Sequence, residues 1–122
     1  MKNDPLFKQG SIVFMDFNPT LGREQAGYRP AVIISQTSYN QKRNLVWLCP
    51  ITSAAMSKTL RFHVRLDDRT KIQGDIICEQ VRTIDLLVRK CKVVEQLPKD
   101  LLEKVLEAVG IIIEQEDNGN TD

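Results

Sequence analysis

At 122 residues, with 42% apolar and 27% charged side chains and a net charge of +1, the sequence has the proportions of one ordinary globular domain. No apolar run approaches the ~20 residues of a membrane span, and the polar start Met1-Lys2-Asn3-Asp4-Pro5 lacks the apolar centre of a secretion signal, which points to a cytoplasmic protein. Cys49, Cys78 and Cys91 are odd in number and form no Cys-x-x-Cys pair, which argues against both a disulfide framework and a zinc site, and structural thiols are expected. The charge is unevenly divided: residues 1–65 carry nine Lys/Arg and three Asp/Glu, residues 66–122 eight and thirteen. Such a division can leave one face attractive to a polyanion.

The chain reads as a single domain over 1–122, with an ordered core over about 8–115. A first strand is expected over 9–17, opened by Gly10 and closed by Asn18-Pro19. The next nine residues of note, Gly22-Arg23-Glu24-Gln25-Ala26-Gly27-Tyr28-Arg29-Pro30, set two arginines, a carboxylate and an amide in a glycine-bracketed loop. The apolar run Ala31-Val32-Ile33-Ile34 follows at once, so a second strand from Pro30 to about Gln36 delivers that polar loop to the rim of a sheet. The connector 37–44 holds a short helical turn. Leu45 to Cys49 makes a third strand that runs on into Pro50-Ile51-Thr52-Ser53, with Trp47 expected in the core.

Leu60 to Leu66 alternates, sending Leu60, Phe62, Val64 and Leu66 inward and a basic face of Arg61, His63 and Arg65 outward. Gly74 to Arg82 reads as one strand that carries Gln80 and Arg82 on a common face, and a shorter strand lies around 92–94. Pro98-Lys99-Asp100 then opens a helix with Leu101, Leu102, Val105, Leu106, Val109, Ile112 and Ile113 at helical spacing, before a polar tail over 116–122. Five or six short strands and one terminal amphipathic helix describe a mainly β (α+β) fold, a small curved antiparallel sheet or barrel. The first two strands are apolar on both faces and need cover from the helix or a second subunit; a dimer is expected.

Most hydrolytic mechanisms lack their parts here. The single histidine cannot make a two-histidine acid–base pair, no His/Cys/Asp cluster has metal-ligand spacing, and Asp67-Asp68 sit side by side in a turn-like segment. No Gly-x-Ser-x-Gly or phosphate-binding glycine motif occurs. What remains is Arg23, Glu24, Gln25, Arg29, Thr52, Ser53, Gln80 and Arg82. Arginine forks match phosphate oxygens and stay charged at any working pH, and hydroxyls and amides add neutral hydrogen bonds, so the set suits a phosphodiester. RNA asks least of a protein, because its 2′-hydroxyl is an internal nucleophile held beside the phosphorus.

The segments Asp16-Phe17-Asn18-Pro19-Thr20, Gly22 to Ser35, Pro50-Ile51-Thr52-Ser53 and Glu79-Gln80-Val81-Arg82-Thr83-Ile84-Asp85 resemble the MazF/PemK family of toxins, the endoribonuclease halves of type II toxin–antitoxin pairs. The resemblance runs from about Gly10 to Ile113. It implies a CcdB/PemK-like fold, an SH3-like barrel with a C-terminal helix, assembled as a homodimer. It also implies sequence-dependent cleavage of single-stranded RNA without a metal or other cofactor, leaving a 2′,3′-cyclic phosphate and a 5′-hydroxyl and so arresting translation. A small, acidic, partly disordered antitoxin is the implied partner. Family catalytic roles fall on Arg29 and Thr52, with Glu24 at the acidic position that assists proton transfer; Gln25, Tyr28, Ser53, Gln80, Arg82 and Arg23 are the further candidates for RNA contact.

Arg23 departs from the family pattern, where a small polar residue is common, and either alters RNA contacts or is solvated. Because arginine is a poor general base, Arg29 is read as the stabiliser of charge on the phosphorane, Thr52 as a hydrogen-bond donor to the same oxygens, and Glu24 as the base. The alternative is the CcdB branch of the same fold, which binds DNA gyrase and cuts no RNA.

Overall fold

The computed structural model describes residues 7–16, 28–54 and 62–117. Within them the elements run β1 (Ser11–Asp16), β2 (Tyr28–Ile33), α1 (Thr37–Arg43), β3 (Leu45–Thr52), β4 (His63–Arg65), β5 (Asp75–Ile77), β6 (Arg82–Asp85), β7 (Cys91–Gln96) and α2 (Lys99–Ile113). Every strand pairing is antiparallel, and the strands follow the order β4-β5-β3-β2-β1-β7, with β6 also paired to β3. The sheet is an open path from β4 to β7 and does not close into a barrel.

β3 is the organiser. Along one edge its residues Leu48–Pro50 pair with β2; along the other, Leu45–Leu48 pair with β6 and Ile51–Thr52 with β5. Both faces of the central strands are buried, and the alternation of side chains divides them between two cores. Ile12, Val32, Cys49, Ile51, Val64 and Ile76 enter one core, which α2 closes with Leu101 and Val105. Val13, Met15, Ala31, Ile33, Val46, Leu48 and Ile84 enter the other, against Phe7, Leu86 and Cys91. The cover that β1 and β2 require therefore comes from within the chain. Burial of a side chain such as Leu101 stabilises the fold by ~1.5–3 kcal/mol.

Three expectations change. The run from Gly74 to Arg82 is two strands, because the chain turns at Cys78-Glu79 and Gln80 N–H donates back to the Ile77 carbonyl at 3.3 Å. Gln80 therefore lies in the turn and Arg82 begins β6, where it pairs with Leu48. Trp47 is not in the core: it stands 42% exposed and meets Tyr39 of α1 edge to face, ring centroids 6.3 Å apart. Its neighbours Val46 and Leu48 point into the second core, and alternation turns the indole away from it. Ile111, Ile112 and Ile113 continue the apolar stripe of α2 past the core and stand 45–72% exposed.

The short helix α1 forms in the polar connector and ends at Asn44, whose φ of 55° is the left-handed stop that asparagine tolerates. Buried Asn40 on α1 donates to the carbonyls of Phe7 at 2.8 Å and Ser35 at 3.3 Å and accepts from the Ser35 hydroxyl. Phe62, Val64 and Leu66 lie in or against the first core, as their alternation requires; Leu60 and Arg61 lie outside the described residues.

Candidate active site

The ladder between β2 and β3 runs Ile33↔Leu48, Val32↔Cys49, Ala31↔Pro50. Arg29 and Thr52 each lie two residues beyond the last of these pairs. Opposed residues on an antiparallel pair share a face, and these two line one cleft of about 370 Å³. Pro50 and Ile51 from β3, Ile77 from β5, Gln80 from the turn and Arg82 from β6 complete its walls. The cleft is the polar continuation of the second core, since Arg29 follows Ile33 and Ala31 on the same face of β2.

Arg29 is exposed, and among the described residues no carboxylate lies within ion-pairing distance of it. A guanidinium fork placed in this way matches the oxygens of an anion. Thr52 is half-buried, and its Oγ1 accepts the Ala54 N–H at 3.1 Å. A hydroxyl that accepts in this way still has its own proton to donate. Thr52 is also held from behind. Gly74 has φ +130°, and a Cβ built there would stand 2.3 Å from the Thr52 carbonyl oxygen, so only glycine lets β5 press against β3 at this point.

Of the residues expected at the site, the structure brings Arg29, Thr52, Gln80 and Arg82 into one cleft. Ser53 follows Thr52 as an exposed residue and is not among the lining residues. Tyr28 lines a separate cavity of about 760 Å³ with Phe14, Leu87 and Arg89. Glu24, Gln25 and Arg23 lie outside the described residues. The two arginines of the cleft come from the basic and the acidic halves of the sequence, so folding, and not the charge division along the chain, builds this pair.

The outward basic face of β4 has a partner that the sequence reading missed. Asp75, 1% exposed, takes His63 Nδ1 on Oδ1 at 3.3 Å and Arg65 Nη2 on Oδ2 at 3.2 Å. A carboxylate heading the apolar run Ile76-Ile77-Cys78 was the available signal, since a buried charge must be paired.

The cysteines take no part in the site. Burial pushes the Cys49 thiol up to about 12, with nearby Cys78 adding to the effect, and burial raises Cys78 and Cys91 to about 11. All three are protonated and unreactive near neutral pH.

Residues 8–113 match the family model described as PemK-like, MazF-like toxin of type II toxin-antitoxin system. Endoribonuclease PemK of Escherichia coli is 32% identical over 108 residues, covering 87% of this chain and 81% of the relative. The crystal structure of MazF from Deinococcus radiodurans shares the fold with a TM-score of 0.78 and 30% identity, over 92% of this chain and all of that one. A MazE–MazF structure from the same organism gives a TM-score of 0.79 at 27% identity, over 91% and 99% of the two chains.

Proposed function

The chain belongs to the PemK-like, MazF-like toxins of type II toxin–antitoxin systems, and from that premise we propose that it is an endoribonuclease cutting single-stranded RNA at a preferred sequence. The observation that carries the reading is the one cleft that Arg29 and Thr52 line together, with Gln80 and Arg82 beside them. Two guanidinium groups, a hydroxyl and an amide around one opening suit a phosphodiester and offer little to an acyl group or a sugar.

The reaction uses the substrate's own 2′-hydroxyl. Its oxygen attacks the adjacent phosphorus, the bond to the 5′-oxygen breaks, and the products are a 2′,3′-cyclic phosphate and a 5′-hydroxyl. Arg29 stabilises the charge that gathers on the phosphorane oxygens, and Thr52 donates a hydrogen bond to the same oxygens. Glu24 takes the 2′-proton, and the departing 5′-oxygen takes a proton from solvent water to leave as the 5′-hydroxyl. Gln80 and Arg82 hold the strand in the cleft, and Gln25, Tyr28, Ser53 and Arg23 extend the contact along it. The chemistry asks for no metal, because nucleophile and electrophile already share one molecule.

Cutting messenger RNA arrests translation and growth in the cytoplasm, which requires restraint by a cognate acidic antitoxin. The MazE–MazF complex of Deinococcus radiodurans supports such a partner. The exposed stripe Ile111 to Ile113 supports a homodimer, since an apolar helix end of this kind gains from being covered.

The test is to incubate the purified protein with a long RNA in chelator and sequence the new 5′ ends. Cuts bearing 5′-hydroxyls at a recurring motif are the expected result. Intact RNA would overturn the reading, and gyrase-dependent DNA breaks alongside it would replace it with the CcdB-like one.

A further inference from the structure

Arg29 and Thr52 are the first members of a longer row. Thr52 is paired with Asp75 across β3 and β5, and Asp75 with Arg65 across β5 and β4. Arg29, Thr52, Asp75 and Arg65 thus share one face over four adjacent strands, in line across the sheet. Neighbouring strands lie about 4.8 Å apart, so the Arg65 backbone stands roughly 10 Å from that of Thr52.

Asp75 is an awkward residue to find there. A buried carboxylate one strand from Thr52 repels any phosphate in the cleft unless cations neutralise it. The structure supplies the Arg65 guanidinium and sets the His63 ring beside it: His63 Nδ1 meets Oδ1, and Arg65 meets Oδ2 through Nη2 alone. Because His63 satisfies one oxygen, Arg65 need not turn its whole fork inward. Its side chain stays 68% exposed, whereas that of His63 is 19% exposed and that of Asp75 2%. The arrangement is an anchored arginine: a buried acid and a half-buried histidine fix its direction, and most of its donors remain for an outside anion.

We propose that Arg65 is a second phosphate-binding subsite, which engages the RNA backbone at a phosphate away from the scissile one, with Asp75 and His63 as its positioning residues. The inference rests on the endoribonuclease reading and extends it. The strand runs across the row, with its scissile phosphate between Arg29 and Thr52 and a neighbouring phosphate at Arg65. Base identity plays no part at this subsite, so it adds affinity for any sequence and leaves the preference for a motif unchanged.

The Arg65→Ala variant and the wild-type protein are compared on RNAs of graded length around one mapped cleavage site. On long RNA the variant shows a raised KM with kcat unchanged. Its log affinity against log salt concentration has a slope shallower by about 0.7, the share of one phosphate on a single strand. On the shortest RNA that is still cut, the two proteins behave alike. A merely structural role would lower the melting temperature and act on every length equally. To keep the test independent of the variant's folding, single phosphates are replaced by neutral methylphosphonates in the wild-type assay. One replacement away from the scissile phosphate must reproduce the same loss of slope. If the wild-type protein cuts RNA but slope and length dependence are the same in both proteins, the subsite is wrong and the endoribonuclease reading stands. If the wild-type protein cuts no RNA, that reading falls and the subsite with it.

Discussion

Arg29 and Arg69 are both surface arginines, and their surroundings make them opposites. Arg69 is held by two acids: it donates to Asp67 through Nε and Nη2 and to Asp100 through both terminal nitrogens, at 2.8–3.3 Å. It ties the turn after β4 to the first turn of α2, and with two carboxylates on one fork it has a single Nη1 proton left uncommitted. Arg29 faces a cleft with a hydroxyl, an amide and another arginine, and no carboxylate among the described residues approaches it. The difference teaches that what surrounds an arginine decides its role. Two acids make Arg69 a clamp, and Arg29, with no such pair among the described residues, is the one proposed to meet a phosphate.

The sharpest way to break the comparison is to remove each charge and ask what is lost. Arg29→Ala should lower single-turnover RNA cleavage by ~10²–10³ or more, in line with losing a donor to a developing oxyanion. Its stability should stay within about 0.5 kcal/mol of wild type, as for an exposed residue outside the cores. Near-normal cleavage would remove Arg29 from the mechanism. Thr52→Val keeps the shape and deletes the hydroxyl. We expect a rate lower by ~10² that Thr52→Ser largely restores, and equal rates for valine and serine would deny the hydroxyl a role.

Gly74→Ala tests the support behind Thr52 and should cost ~1–3 kcal/mol of stability by overpacking against the Thr52 carbonyl. Denaturant melts of the two proteins measure it, and an unchanged midpoint would contradict the close approach of β5 and β3.

Arg69→Ala should have the smallest effect, a modest lowering of the melting temperature with no change in kcat. Its pH dependence is the informative part. The hydrogen bonds from Arg69 pull the Asp67 carboxyl down from 3.8 to about 2 and lower that of Asp100 as well. A depressed carboxyl contributes stability above its unfolded pKa, and loses it as pH falls through the folded value. The gap between wild type and variant should therefore be full above about pH 4 and close towards pH 2. Salt should shrink it, because all three side chains are solvated. A gap that grows in acid would reverse the assignment.

Much of this was legible in the residues. The two apolar faces of β1 and β2, alternation in β4 and the helical spacing from Leu101 to Val109 each express a local pattern that the fold obeys, and Arg29 and Thr52 of the Arg-Pro and Ile-Thr-Ser steps line one cleft. What escaped depended on distant partners. Trp47 looked like core because its strand is apolar, yet only the pairing of β3 with β2 and β6 decides which face is covered. The split of residues 74–82 into β5 and β6 turns on Cys78-Glu79, which contains neither glycine nor proline to announce it. Asp75 was passed over because its two partners lie ten and twelve residues away on another strand. Glu24, Gln25 and Arg23 fall outside the described residues and keep the standing the sequence assigns them.

The placement of Thr52 on β3 has a consequence for how the protein loses its activity. β3 is hydrogen-bonded to β2, β5 and β6, and its residues feed both cores. A strand held on so many sides has no cheap local opening, so its amides should exchange with solvent only when the whole sheet comes apart. The lifetime of the cleft is then tied to the lifetime of the fold.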